Sequence, residues 1–169
     1  LGNDMLEGRL MLNIDSEDFG VLTIGCAGGG SSTITLPINY IQTPQNMSTL
    51  NLKLYGLRGG HSGVDVGEQR GNAVKIITRL LWKIKNKHPL HIGTINGGDK
   101  HNAIPREATA TISVKEQEKA DIEKLLDKEI KAVQTEIKPI DPKVSLDITT
   151  GDTPSKVMAN TSTQTTIQL

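Results

Sequence analysis

The sequence is poor in aromatic residues, cysteine and net charge, and each shortage excludes a class of protein. Its 169 residues include one Phe, one Trp, two Tyr and one Cys, and Lys plus Arg equals Asp plus Glu at 19 each. Zero net charge provides no general attraction to nucleic acid or to an anionic membrane. A lone cysteine excludes an intramolecular disulfide and favours a reducing compartment, so we expect a cytoplasmic protein. No apolar run approaches the roughly 20 residues that a membrane-spanning helix needs.

The apolar pattern of the central part of the chain predicts a ferredoxin-like domain. Strands are predicted where apolar and polar residues alternate or where short apolar runs end in turns, and helices where apolar residues recur every three to four positions. In chain order these elements are 49–55, 73–84, 90–95, 107–114, 122–137 and 144–148. The order βαββαβ places two helices on one face of a four-stranded sheet, which is an α+β fold.

The segments on either side of this domain carry weaker patterns. Short apolar runs at 9–14, 21–26 and 33–36 predict further strands near the N-terminus. Residues 152–166 are rich in Ser, Thr and Asn, which predicts a loop. Because the chain does not start with Met and ends without a capping signature, we expect it to be part of a longer protein.

The loop after the first domain strand contains the sequence G-G-H-S-G around His61. Glycines on both sides let the backbone approach a ligand closely and leave the imidazole exposed. The motif lacks the final glycine of the hydrolase sequence G-x-S-x-G, and no Gly-Lys-Ser/Thr follows as in a phosphate-binding loop. His61 is therefore a candidate functional residue, although a flexible turn whose histidine caps a backbone group explains the same sequence.

Two other segments offer polar groups that suit a ligand. Asp15 begins the acidic run D-S-E-D at the end of a predicted strand, where carboxylates can hold a cation. Asn102 and Arg106 lie in N-A-I-P-R, with an amide that both donates and accepts and a guanidinium that suits a carboxylate. A solvated acidic turn and a turn that leads into a strand are the alternatives for these two segments.

Taken together, the motifs resemble one family. The segments N-I-D-S-E-D, T-I-G-C-A-G-G, G-L-R-G-G-H-S-G, G-N-A and N-A-I-P-R-E-A, in this order and spacing, are similar to those of the aminoacylhistidine (Xaa-His) dipeptidases, which are co-catalytic zinc exopeptidases. The resemblance implies a zinc-binding catalytic domain that is interrupted by a lid domain with a ferredoxin-like core. Residues 1–47 would be the end of the catalytic domain with connecting strands, 48–150 the lid, which commonly mediates dimerisation, and 151–169 a truncated continuation of the lid.

The same resemblance implies roles for the candidate residues. Asp15 would be a zinc ligand, and His61 would reach from the lid into the active site of its own or a partner subunit to bind substrate or stabilise the oxyanion. Asn102 would hydrogen-bond the substrate, with Arg106 as a helper. The reaction would be hydrolysis of a dipeptide by water activated between two zinc ions, with a glutamate as general base.

The chain lacks several segments that the family uses to bind metal. The H-x-D segment, the bridging aspartate, the Glu-Glu pair and the C-terminal metal histidine have no counterpart in the sequence. One zinc ligand of the full set cannot hold a catalytic ion tightly, so we expect this chain alone to hold no zinc and to be inactive. The expected partners are the rest of the catalytic domain, a dipeptide substrate and a second copy in a homodimer, with no nucleic acid and no membrane.

Two other classes of protein remain open. A stand-alone dimerisation or regulatory module would need no chemistry at His61. An RNA-binding βαββαβ module would stack bases on aromatic side chains of the sheet, and the predicted strand 107–114 has none. Trp82 lies on the first helix about half a turn from the apolar stripe, where it covers a second chain or another part of the lid, or is exposed by chance.

Overall fold

The computed structural model describes residues 7–10, 12, 14, 19–25 and 30–169. The chain divides into two compact units, Leu1–Thr35 and Leu36–Leu169. In the first unit the described residues form no helix and no strand, and their large apolar side chains are exposed. These are Leu10, Leu12, Ile14, Phe19, Val21, Leu22, Ile24 and Ile34.

The predicted N-terminal strands are wrong wherever the structure describes them. Residues 21–25 and 33–36 are not strands, and neither are the described residues of the run 9–14. An apolar run becomes a strand only where a neighbouring strand exchanges backbone hydrogen bonds with it. The sheets formed by the described residues include none of these runs, so hydrophobicity alone does not make them strands.

The second unit contains eight strands and three α-helices. The strands are β1 (Tyr40–Gln42), β2 (Met47–Tyr55), β3 (Gly60–His61), β4 (Leu90–Gly97), β5 (Ala103–Ile104), β6 (Ala108–Lys115), β7 (Ser145–Gly151) and β8 (Lys156–Met158). The helices are α1 (Ala73–Lys85), α2 (Lys119–Ile137) and α3 (Asn160–Gln168). Among the described residues, none of these helices combines the length and the apolar character that crossing a bilayer demands.

The central sheet has four strands in the order β4-β6-β2-β7, and every neighbouring pair is antiparallel. With α1 and α2 this is the βαββαβ arrangement that the sequence predicts, so the α+β prediction is confirmed. Alternation along β2 explains its two faces: Leu50, Leu52 and Leu54 are fully buried in the core, whereas Asn51 and Lys53 point to the more accessible side.

The helices cover the sheet with the apolar stripes that the sequence predicts. On α1 the buried residues are Ala73, Ile76, Ile77, Leu80, Leu81 and Ile84, and on α2 they are Ile122, Leu125, Leu126, Ile130 and Val133. Full burial of each large aliphatic side chain contributes about 1.5–3 kcal/mol. Trp82 points away from the stripe, is 46% exposed, and has the Lys83 ammonium 5.6 Å from its ring centroid.

The loop predicted over residues 152–166 is wrong, because β8 and α3 lie there. Strand β8 pairs antiparallel with β1, and α3 contacts α1 and β4. The buried Thr163 hydroxyl accepts a hydrogen bond from the Ile92 amide and donates one to the Met158 carbonyl, each at 3.3 Å. Ser and Thr are weak helix formers, and these tertiary contacts override that preference.

Candidate functional site

A short ladder joins the glycine-rich loop to the N-A-I-P-R segment. Gly60 pairs with Ile104 and His61 with Ala103 in the antiparallel pair β3–β5. The ladder continues by one hydrogen bond, because the amide of Ser62 donates to the carbonyl of Asn102 at 2.9 Å. The fold therefore brings His61 and Asn102, which lie in separate sequence motifs, onto adjacent backbone segments.

The imidazole of His61 is exposed, and its two nitrogens have different surroundings. The backbone amides of Gly63 and Val64 both donate to Nδ1, each at 3.1 Å. The lone pair of Nδ1 is thus occupied, so the proton of the neutral ring lies on Nε2. The ring caps backbone groups, as the turn alternative predicts, but only with Nδ1. Among the described residues, no group forms a hydrogen bond with Nε2, which therefore remains an exposed donor.

An ion pair holds the backbone around His61. The His61 amide donates to Asp65 Oδ2 at 2.7 Å, and Asp65 Oδ1 lies 2.9 Å from Arg70 Nη2. Arg70 Nη1 donates to the Gly59 carbonyl at 2.7 Å. Gly60 has φ +146°, and a Cβ there would overlap both side chains of the pair. Only glycine at position 60 leaves room for the ion pair between Asp65 and Arg70.

A second carboxylate lies at the base of the loop. Asp141 is fully buried, and its Oδ1 accepts a hydrogen bond from the Arg58 amide at 2.7 Å. Its Oδ2 accepts one from the Gly71 amide, also at 2.7 Å. One side chain therefore binds both stems of the loop that carries His61.

Three residues of this region were not predicted from the sequence: Asp65, Arg70 and Asp141. Asp65 and Arg70 had a local signal, since an acid and a base lie within the same glycine-rich segment as His61 and can pair across it. Asp141 had none, because its two partners are 83 and 70 positions away along the chain. Only the three-dimensional fold shows that Asp141 belongs to this site.

Beside the ladder lies a pocket of about 540 Å³. Its lining includes Arg58, Arg106, Asp99 and Glu107, together with backbone of β3 and β5. The Arg106 side chain is 72% exposed, with Nε 3.9 Å from Glu107 Oε1. A guanidinium that is so weakly paired is available to bind an anionic group such as a carboxylate.

The described part of the chain does not form a metal site. No three His, Cys, Asp or Glu side chains converge among these residues. Asp15, the predicted zinc ligand, lies outside the described residues, so its role stays a prediction. The roles of His61, Asn102 and Arg106 also stay predictions, although the structure brings the three residues into one region.

Comparison with known proteins identifies the family. The family model described as "Peptidase dimerisation domain" matches residues 49–141, which extend from β2 through α2 to Asp141 and include three of the four strands of the central sheet. The chain belongs to the peptidase dimerisation domain family. The chain is 40% identical, over 114 residues, to the cytosol non-specific dipeptidase of Escherichia coli strain K12. That alignment covers 68% of the chain and 24% of the relative.

Solved structures support the same assignment. The crystal structure of aminoacylhistidine dipeptidase from Vibrio alginolyticus matches this chain with a TM-score of 0.76 and 31% identity, over 79% of this chain and 27% of that one. A hydantoinase/carbamoylase family amidase from Burkholderia multivorans matches with a TM-score of 0.50 and 12% identity, over 66% and 28% of the two chains, which shows a shared fold alone. The resemblance to aminoacylhistidine dipeptidases is confirmed. The chain spans about a quarter of the length of these relatives.

Proposed function

We propose that this dimerisation domain is the lid of a zinc-dependent dipeptidase that hydrolyses Xaa-His dipeptides, and that it is inactive alone. The observation that carries the proposal is the geometry of His61. Its Nδ1 accepts from two backbone amides, its Nε2–H has no hydrogen-bond partner within the described ranges, and its own backbone amide donates to Asp65. Relatives of this sequence are dipeptidases by name.

His61 would act on the substrate rather than on the metal. Its Nε2–H would donate to the carbonyl oxygen of the scissile peptide bond, where negative charge develops in the transition state. Asn102, on the adjacent segment, would hydrogen-bond the substrate backbone. Arg106 would attract the substrate carboxylate. Closure of the lid over the active site would exclude bulk water and strengthen each of these contacts.

Zinc would be bound outside the described residues. The described residues fit no zinc ion, because no three ligand side chains converge and the Nδ1 lone pair of His61 is already occupied. Two zinc ions in the catalytic domain would supply a water of lowered pKa, with Asp15 as one of their ligands. This chain alone would hold no zinc tightly.

The proposed domain organisation follows the same reasoning. Residues 1–47 would be the end of the catalytic domain with connecting strands, 48–150 the lid, and 151–169 a continuation of the lid. Exposed apolar residues such as Phe19 and Ile24 support an interface for residues before 36, because isolated proteins rarely expose such a dense apolar run. The family description supports a homodimer, and the cytosolic relative supports a cytoplasmic location.

The test compares this chain with the parent enzyme, meaning this chain together with the catalytic domain that the proposal requires. Bound zinc and hydrolysis of a histidine-ending dipeptide are measured for both. We expect zinc and activity in the parent and neither in the chain alone. In the parent, His61→Ala should lower kcat by about 100-fold or more, as the loss of an oxyanion donor does. His101→Ala, at an exposed histidine nearby, is the matched control and should change kcat less than about twofold.

The alternative is a stand-alone dimerisation or regulatory module, and the family description is the observation in its favour. It predicts a chain that dimerises and an intact parent without peptidase activity. If the parent holds zinc and His61→Ala cleaves dipeptides as fast as the wild type, the proposed role of His61 is refuted. The assignment of this chain as a lid would then still stand.

A further inference from the structure

The turn that follows α2 supports both stems of the loop that carries His61. Gly56, with φ +83°, begins the first stem, and a Cβ at this position would overlap the carbonyl of Lys143. Gly71 ends the second stem, and a Cβ there would lie 2.6 Å from Leu57 Cδ2 and 3.2 Å from Asp141 Oδ2. The first stem therefore lies directly against the turn at Lys143, and the second stem packs against Leu57 of the first stem and against Asp141.

Asp141 supplies the polar contacts of this turn. Its carboxylate is fully buried, and each oxygen accepts one backbone amide proton at 2.7 Å, from Arg58 and from Gly71. A carboxylate is suited to this position because both of its oxygens accept and neither donates. An asparagine would place an NH₂ group against one of the two amides and leave a buried donor without a partner.

The two stems held by Asp141 are also held to each other, next to the backbone of His61. Arg58 is followed by Gly59, whose carbonyl accepts from Arg70, and Arg70 is followed by Gly71. Asp141 thus binds Arg58 and Gly71. Their neighbours in the chain, Gly59 and Arg70, are bound to each other. Arg70 in turn pairs with Asp65, which accepts the His61 amide. Two groups of hydrogen bonds, joined by the covalent links Arg58–Gly59 and Arg70–Gly71, therefore connect the buried carboxylate to the backbone of His61.

We propose that Asp141 is a positioning residue for His61, a proposal that rests on the function proposed for His61. Asp141 touches no substrate. It fixes the separation of the two stems, and thereby the place at which Nε2–H is presented. Such placement matters because a displacement of about 1 Å in a catalytic group can cost about 100-fold in rate.

The test uses the parent enzyme and three variants. Asp141→Asn removes one acceptor and keeps the size of the side chain. Val133→Ala, in the buried stripe of α2, is chosen to lower stability without touching the loop. Asp147→Asn, at an exposed carboxylate that accepts from the Tyr55 hydroxyl, controls for the loss of charge. We expect Asp141→Asn to lower kcat about 10- to 100-fold with little change in KM, and the two controls to keep kcat within about twofold.

A chemical readout on His61 separates positioning from stability. Diethyl pyrocarbonate acylates the imidazole nitrogen that has a free lone pair, and in His61 that lone pair is occupied by two amides. We compare the rate of acylation of His61 with that of the exposed His101 in the same molecule. The ratio of these two rates should rise at least about threefold in Asp141→Asn, because the loop becomes more mobile. The ratio should stay unchanged in Val133→Ala.

The outcomes are distinct. If Asp141→Asn leaves the ratio and kcat as they are in Val133→Ala, Asp141 is merely structural and the inference is wrong. If His61→Ala leaves kcat unchanged while Asp141→Asn raises the ratio, Asp141 still positions His61 and only the proposed function fails. Should Asp141→Asn not fold, amide exchange in the wild-type enzyme decides. The Gly71 amide should exchange at least about tenfold more slowly than the amide of the exposed Gly67, and equal rates would overturn the inference.

Discussion

The replacement of Gly56 by alanine tests the contact that supports the glycine loop. Gly56 directly follows β2, has φ +83°, and approaches the Lys143 backbone so closely that a Cβ would overlap its carbonyl oxygen. Two penalties therefore act together in the Gly56→Ala variant. The left-handed backbone is unfavourable for alanine by about 1–2 kcal/mol, and the added methyl group must push apart two backbone segments, at about 1–3 kcal/mol.

The two penalties together predict a loss of about 2–5 kcal/mol in the free energy of unfolding. For a domain of this size, each kcal/mol corresponds to about 3–4 °C in Tm, so the midpoint should fall by about 6–20 °C. Urea unfolding followed by circular dichroism measures the free energy, and a thermal scan measures the midpoint. The slope of the urea transition should not change, because the folded state remains equally compact.

Gly67→Ala is the matched control for this prediction. Gly67 lies in the short 3-10 turn Val66–Glu68, its φ is not in the left-handed region, and a Cβ there would meet nothing within 4 Å. This change should leave stability unaltered or raise it by about 0.4–1 kcal/mol, because alanine restricts the unfolded chain. If Gly56→Ala and Gly67→Ala differ by less than about 0.5 kcal/mol, the loop stem does not rest on the turn after α2, and the reasoning fails.

Two further substitutions test α3 and its neighbours. Thr163→Val leaves the Ile92 amide without its acceptor and should cost about 1–3 kcal/mol in urea unfolding, whereas Thr161→Val, at an exposed position of the same helix, should cost less than about 0.5 kcal/mol. Burial lowers the pKa of Lys85 below its ordinary value of 10.5, so the charged form is disfavoured in the folded state. Wild-type stability relative to Lys85→Met should therefore rise as the pH is raised from the lowered pKa toward 10.5; a difference that stays constant from about pH 8 to 11 would contradict this.

The core elements could be predicted from the sequence because their signal is local. The apolar stripe from Ala73 to Ile84 and the alternation along β2 each predict which side faces the core, and the structure confirms both predictions. Residues 152–166 could not be predicted, because α3 is stabilised by contacts such as Thr163 with Ile92 that lie far apart in the sequence. The runs before residue 36 show the converse, since apolar composition predicts strands that the described residues do not form.

The candidate site was predictable in part for the same physical reason. His61 and Asn102 were visible because each lies in a short segment of unusual composition, and the β3–β5 ladder then explains why the two segments belong together. Nothing in the sequence around Asp141 marks it as more than a turn residue between two prolines. Asp141 accepts from backbone amides, which every residue other than proline carries, so the side chains of its partners do not identify it.

The β3–β5 ladder has a consequence for the order in which the domain folds. It consists of two residue pairs, yet it joins residues 60–61 to residues 103–104 and so closes a segment that contains all of α1 and β4. The hydrogen bonds of two residue pairs offset little of the chain entropy that is lost when such a long segment is closed. We therefore expect the β3–β5 ladder to form only after β2, β4 and β6 have paired in the central sheet. The surface that carries His61 would then form late in folding, and partly folded chains would have a packed core but would lack this surface.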